Sequence, residues 1–299
     1  MSYCFNPNCS QPVNNIQNQI CEACGARLLL RDRYQILRFI GKGGFGNTFL
    51  AADVSHLQPS LCVIKQLNAK RQNSSMGQKL FEREAKILGA IGDNCHIPQL
   101  IDYFEEKQQF YLVQNYIYGQ NLQQEVTKQG VLNESQTKQA LQELLLILQQ
   151  VHSHNIIHRD VKPSNIIRRR KDGKLILIDF GMVEEQTTDF TTNNLAQMAL
   201  SEYSVGTRGY APPEQLALRP VYASDIYSLG VTAIYLMKGK KPTDIGINPM
   251  TGEVMWLKDL DISDSFGNIL LKMLDVSVEK RYQTTEEVLQ ALSQDRFVD

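Results

Sequence analysis

Three sets of residues in this chain have types and spacings suited to chemistry. The string Gly41-Lys42-Gly43-Gly44-Phe45-Gly46 fits G-x-G-x-x-G, a turn whose bare backbone amides can approach phosphate oxygens closely. Lys65 ends the apolar run Leu61-Cys62-Val63-Ile64, and an ammonium in such a run is costly to bury unless an anion meets it. Glu84 is the natural anion, and that pair would aim the ammonium at the α- and β-phosphates of a nucleotide. Cys4-x4-Cys9 and Cys21-x2-Cys24-Gly25 place four of the six cysteines within the first 24 residues. That spacing matches paired zinc knuckles, and four thiolates suit a closed tetrahedral structural site for Zn2+. A redox switch in which these thiols pair with one another is the rival reading.

The elements that must carry these groups follow from pattern. Tyr34 to Ile40 and Thr48 to Ala52 read as strands around the glycine turn, and Leu61 to Leu67 as a third strand. The G-x-G-x-x-G string also marks dinucleotide folds, where it opens a helix; here a strand follows, so the loop is a hairpin that folds over phosphates. Taken alone, a flexible turn and a strand-end lysine reaching solvent explain these residues equally well. Lys79 to Ile91 sets Leu80, Ile87, Leu88 and Ile91 at helical spacing, and Phe110 to Val113 is a further strand. Asn133 with Gln136 suggests a capping box, followed by the apolar stripe Leu141, Leu144, Leu145, Leu148 and Val151. Ile166 to Arg169 and Lys174 to Ile178 flank Asp172-Gly173, a hairpin signal. Ile226 to Met237 is apolar nearly all round, the mark of a buried helix. A strand-rich front and helix-rich back give an α+β chain in two lobes. Residues 1–30 show no period and need a staple to fold.

His158-Arg159-Asp160-Val161-Lys162-Pro163-Ser164-Asn165 and Asp179-Phe180-Gly181 complete the pattern. With the glycine loop and the strand lysine in this order, the chain from about Tyr34 resembles the eukaryotic-type (Hanks-type) serine/threonine protein kinases, bacterial and cyanobacterial members in particular. The resemblance implies the two-lobed protein kinase fold, ATP with Mg2+ or Mn2+, and transfer of a phosphoryl group to protein Ser/Thr hydroxyls. It makes Asp160 the base that accepts and orients the attacking hydroxyl, and Asn165 and Asp179 the magnesium ligands. Lys162 would neutralise the transferring phosphoryl group, and Thr207 would touch the catalytic loop; Lys65 and Glu84 complete the catalytic set. Thr48, Val63, Gln114 (the gatekeeper), Asn115, Ile117 and Ile167 would surround adenine, with Gly41 to Gly46 over the phosphates. Glu214 would pair with Arg281, Asp225 would cap the catalytic loop, and Leu88, Leu100, His158 and Phe180 resemble the family's internal spine.

Thr48 stands where valine is usual and Val63 where alanine is usual, which narrows the pocket roof without removing a catalytic group. Nothing essential to the chemistry is missing, which weighs against the alternatives of a nucleotide-binding pseudokinase or a zinc-ribbon adaptor scaffold. Arg159 before the catalytic aspartate implies control by phosphorylation of Thr187, Thr188, Thr191, Thr192, Ser201 or Ser204, with self-association for autophosphorylation. Arginine-preferring members carry carboxylates at the positions of Ser164 and Tyr235, so no preference for arginine before the target residue is expected. Arg168-Arg169-Arg170-Lys171 reads as a solvated hairpin turn in preference to a docking patch, and Cys62 and Cys95 as buried thiols.

The whole chain of 299 residues has a formal net charge of -1, so no global field draws it to nucleic acid or membrane. Only Arg27 is cationic within residues 1–30, against a nucleic-acid role for the cysteine segment. The start has no basic region leading into an apolar stretch, and the expected location is cytoplasmic. The expected organisation is a four-cysteine zinc-ribbon-like module over 1–30, an N-lobe over 34–117 and a C-lobe over 118–299.

Overall fold

The computed structural model describes residues 1–42, 46–68, 75–92, 94–185, 206–245, 255, 257 and 260–295. Gly43, Gly44 and Phe45 of the glycine turn and all six hydroxyl residues from Thr187 to Ser204 lie outside the described residues. The chain divides into two compact units, Met1–Ile117 and Tyr118–Asp299.

The first unit begins with two short strands, β1 (Ser2–Tyr3) and β2 (Val13–Asn14), which pair antiparallel. β3 (Leu29–Leu30), β4 (Tyr34–Lys42), β5 (Gly46–Asp53) and β6 (Ser60–Leu67) follow. α1 (Ser75–Ile91) precedes β7 (Leu100–Glu106) and β8 (Gln109–Asn115). These strands form one antiparallel sheet of order β3-β4-β5-β6-β8-β7. Side chains alternate between its faces, and one face buries Ile36, Phe49, Ala51, Cys62, Ile64, Tyr111 and Val113 in a single cluster.

Both glycine-hairpin strands run further than the apolar pattern indicates: β4 continues to Lys42 and β5 starts at Gly46, because Gly41 pairs with Thr48 and Lys42 with Asn47. Two register shifts interrupt this ladder, between Ile36 and Arg38 and between Phe39 and Gly41. Gly46 must lack a side chain, since a Cβ there would collide with the Gln66 carbonyl. Residues 1–30 are more ordered than their composition suggests. β1 and β2 flank Cys4 and Cys9, and Cys4, Cys21 and Leu28 form a small core of their own. Cys95 corrects the expectation of a buried thiol: it is exposed, sitting in the turn that leads to β7, whereas Cys62 is buried in the sheet.

The second unit opens with β9 (Gly119–Asn121), α2 (Leu122–Gln129) and α3 (Glu134–Ser153). Both helices start in capping boxes, Asn121 with Gln124 and Asn133 with Gln136, each pair exchanging side-chain-to-backbone hydrogen bonds. The stripe from Leu141 to Val151 is buried along α3. β10 (Ile156–Ile157) leads to the catalytic-loop sequence, then β11 (Ile166–Arg169), β12 (Leu175–Leu177) and β13 (Glu184–Glu185). β11 pairs with β12 on one side and β9 on the other, and β10 pairs with β13. α4 (Pro213–Leu216), α5 (Tyr222–Lys238), α6 (Asp264–Met273) and α7 (Thr285–Gln294) complete the unit. α5 is buried from Ala223 to Met237 and forms the axis of the core, with α3, α6 and α7 around it. Among the described residues, no helix is long and apolar enough to cross a membrane.

Candidate active site

In the first unit the sheet register sorts the functional residues. Paired residues of antiparallel strands project to the same face. Thr48 pairs with Lys65, and Val63 pairs with both Leu50 and Gln114, so Thr48, Val63, Lys65 and Gln114 share the face opposite the buried cluster. α1 delivers Glu84 to that face. Lys65 Nζ donates to Glu84 Oε1 at 2.5 Å, with Glu84 almost fully buried. The pair fixes the ammonium at one position beside the glycine hairpin. Asn115 is tied by its own backbone: its N–H donates to Gln99 O at 3.1 Å, and its side chain accepts from Gln99 N at 2.8 Å. Tyr116 N donates to Leu61 O, and Ile117 is buried where the unit ends.

In the second unit the catalytic-loop sequence lies between β10 and β11 and closes on Asp160. Lys162 Nζ donates to Asp160 Oδ2 at 2.6 Å and to Thr207 Oγ1 at 2.6 Å. Thr207 Oγ1 donates to Asp160 Oδ1 at 2.7 Å. Asn165 Nδ2 donates to Asp160 Oδ2 at 2.8 Å and to its backbone carbonyl at 2.9 Å. Both carboxylate oxygens are therefore held, and the rotamer of the candidate base is fixed. Ile167 sits on β11, paired with Asn121 and Ile176 and partly buried.

The loop itself is held from below. Asp225, fully buried on α5, accepts from the amides of His158 and Arg159 at 2.8 Å each, and its Oδ2 lies 2.9 Å from His152 Nε2. Burial pushes the Asp225 carboxyl up, but the His152 hydrogen bond and the nearby charge outweigh it, and the net direction is down. His158 is wholly buried, which drives its imidazole toward the neutral form despite the carboxylates around it. Its ring meets Phe180 edge-on at 4.9 Å. Arg159 (φ 66°) and Asp179 (φ 70°) both adopt the left-handed conformation, which costs side-chain-bearing residues about 1–3 kcal/mol and concentrates at functional sites.

Glu214 pairs with Arg281 at 2.7 Å, and the same guanidinium donates to the Ala223 and Asp275 carbonyls, so no buried N–H of this pair is wasted. Two supports escaped the sequence reading. Gln215, buried, donates to the Arg159 carbonyl at 2.7 Å, and His152 holds Asp225. Neither carries a period or motif of its own; each is visible only through the residue it braces. The cationic turn is partly spent in ion pairs, Arg168 with Glu125 and Arg169 with Asp172.

The four cysteines converge, with their sulfurs all within 4.8 Å of one another. Cys4 to Cys24 and Cys9 to Cys21 are each 3.6 Å, close to the ~3.8 Å edge of a tetrahedron of thiolates around zinc. Burial raises the Cys4 and Cys9 thiols. Burial also opposes ionisation of Cys21, but the Cys24 and Ala23 amides and the Asn14 carboxamide bring it down to about 6. Asn14 and Asn6 donate to Cys21 and Cys24 sulfurs at 3.5 Å each, the outer hydrogen bonds a metal-thiolate site needs.

The protein kinase domain model matches residues 34–293. Over its full length the chain is 50% identical to serine/threonine-protein kinase B of Synechocystis sp., covering 53% of that protein. Serine/threonine-protein kinase PknA of Nostoc sp. is 43% identical over 88% of this chain and 47% of its own length. Serine/threonine-protein kinase PrkC of Bacillus subtilis is 30% identical over 86% of this chain and 39% of its own length. The chain spans about half the length of the curated relatives it matches. With the family match running through both units and every motif expected of it in order, this chain belongs to the protein kinase domain family.

Proposed function

We propose that this chain is the catalytic part of a serine/threonine protein kinase that transfers the terminal phosphoryl group of ATP to protein hydroxyls. The observation that carries this reading is the grip on Asp160, whose two carboxylate oxygens are engaged by Lys162, Thr207 and Asn165 within 2.6–2.8 Å. A carboxylate so fixed can take the proton of an incoming hydroxyl and hold that oxygen in line with the phosphorus.

The substrate oxygen forms a bond to the γ-phosphorus, the bond from that phosphorus to the β,γ-bridging oxygen breaks, and ADP departs. Asp160 takes the hydroxyl proton. Lys162, one charge-assisted hydrogen bond away, offsets negative charge on the moving group. Lys65, fixed by Glu84, serves the α- and β-phosphates, and Gly41 to Gly46 cover them. Asn165 and Asp179 supply an amide and a carboxylate oxygen suited to magnesium or manganese, which neutralises the phosphates when bound. Thr48, Val63, Gln114, Asn115, Ile117 and Ile167 are the adenine contacts of this reading. The four cysteines are a structural zinc site, and the protein substrates include other copies of this chain.

Replacement Asp160→Asn tests the assignment. Asparagine preserves the shape and some hydrogen bonds but cannot take the proton. Turnover is expected to fall by roughly 10²–10⁴-fold while ATP binding stays within about twofold of the parent. Equal turnover in the variant would overturn the role given to Asp160.

A further inference from the structure

The cysteine module is built against the reverse face of the glycine hairpin. The face of β5 and β6 that carries Thr48 and Lys65 is the one assigned above to the nucleotide. Phe49 and Gln66, one residue along each strand, project the opposite way. There they meet the module rather than solvent.

Tyr3, next to the ligand Cys4, lies 6.3 Å from the Phe39 ring on β4 and 6.0 Å from Phe49 on β5. Phe39 and Phe49 themselves meet edge-on at 5.7 Å. One tyrosine thus fastens both strands of the hairpin at the Phe39–Phe49 pair, between the two register shifts. Ser2 adds a hydroxyl that donates to the Ile36 carbonyl at 3.3 Å, where the ladder first slips. On the other side of Cys4, Phe5 packs edge-on against Tyr111 at 6.2 Å.

Gln66 links the module to the turn. It is 1% exposed and adjacent in sequence to Lys65. Its amide nitrogen donates to the Phe5 carbonyl at 2.9 Å and reaches Tyr111 Oη at 3.3 Å. Its amide oxygen accepts from Asn47 Nδ2 at 3.2 Å. Asn47 directly follows Gly46, whose Cα packs against the Gln66 carbonyl so closely that no side chain fits. A buried amide with partners at both ends is costly to disturb, so the backbone of the cysteine module and the root of the glycine turn share one hydrogen-bonded glutamine.

We infer that the cysteine module is a positioning element for the nucleotide: Tyr3 and Gln66 set the angle of the glycine hairpin from behind and so tune affinity for ATP, without touching the reacting atoms. This rests on the kinase reading given above. Losing such a support leaves the proton acceptor and phosphate ligands of the second unit in place, so its mark is a rise in KM with little change in kcat.

The test uses the full chain with Tyr3→Ala, Tyr3→Phe and Gln66→Leu, measured for steady-state phosphotransfer at varied ATP and for equilibrium binding of a fluorescent ATP analogue. Tyr3→Ala is expected to raise the ATP KM and the analogue's Kd together by about three- to tenfold, with kcat within about twofold. Tyr3→Phe, which keeps the ring, stays at the parental values. Gln66→Leu shifts in the same sense; should it fail to fold, Tyr3→Ala alone decides. Unchanged ATP KM and Kd in Tyr3→Ala, in a parent that binds ATP and transfers phosphate, overturn this inference and leave the kinase reading standing. A parent that neither binds nor turns over ATP removes both.

Discussion

Lys65 carries its charge into a strand whose neighbours Cys62 and Ile64 are fully buried, and Glu84 is what makes that placement tolerable. The two residues make separable contributions. Lys65→Met strips the phosphate contact and also leaves the Glu84 carboxylate buried without its ammonium. Activity should fall by about 10²–10³-fold, and the unfolding free energy by about 3–5 kcal/mol. In the double variant Lys65→Met with Glu84→Gln, the buried charge is gone, so most of the stability returns while activity stays low. Denaturant unfolding alongside initial-rate kinetics reads both quantities. A double variant as unstable as Lys65→Met would show that the pair is not the source of the loss. At this scale the sequence was most legible, because phosphate chemistry dictates residue types at fixed spacings. Glu84 meets the lysine whose buried charge calls for an anion, and Asp225, Glu214 and Arg281 meet the partners that the family resemblance implies. Gln66, His152 and Gln215 were not legible, since a polar residue within a strand or helix looks solvent-facing until the fold closes over it.

Among elements, α3 and α5 are clearest in the sequence, the first from its capping box and stripe, the second from apolarity on all sides. β7 and α2 are obscure for a physical reason. β7 mixes Asp102, Glu105 and Glu106 into an edge strand, and α2 holds only Leu122 and Val126 as buried apolar positions. The cysteine segment has only a small apolar core of its own, Cys4, Cys21 and Leu28 with minor support, so under the zinc reading proposed above its order would depend on the metal. The four sulfurs lie within 4.8 Å of one another, and a metal held by them, as proposed, would add the folding energy that so small a core lacks. Protein purified under reducing conditions should carry one zinc per chain by elemental analysis. Cys21→Ser with Cys24→Ser should abolish it and make residues 1–30 the first site of proteolysis. Chain that is free of zinc yet equally protected there would contradict a structural metal.

On the scale of the whole molecule, the proposed reaction draws residues from both the β-rich and the helical unit. Met1–Ile117 holds the residues assigned to the α- and β-phosphates and every assigned adenine contact except Ile167, and Tyr118–Asp299 holds Ile167, the proton acceptor and the oxygen ligands assigned to magnesium. The division into a strand-rich front and a helical back is readable from hydrophobic period alone, because period 2 and period 3.6 segregate along the chain. What period cannot convey is that the cysteine segment belongs with the sheet. Its attachment runs through Tyr3, Phe5 and Gln66, which follow no repeat. The most direct measurement of the central claim is to incubate the chain with ATP, magnesium and a mixed protein substrate, then map the modified residues by mass spectrometry. Phosphate on serine and threonine side chains, absent when Asp160 is replaced by asparagine, is the predicted result. Phosphate confined to tyrosine, or none on any protein while the chain binds ATP, would contradict it.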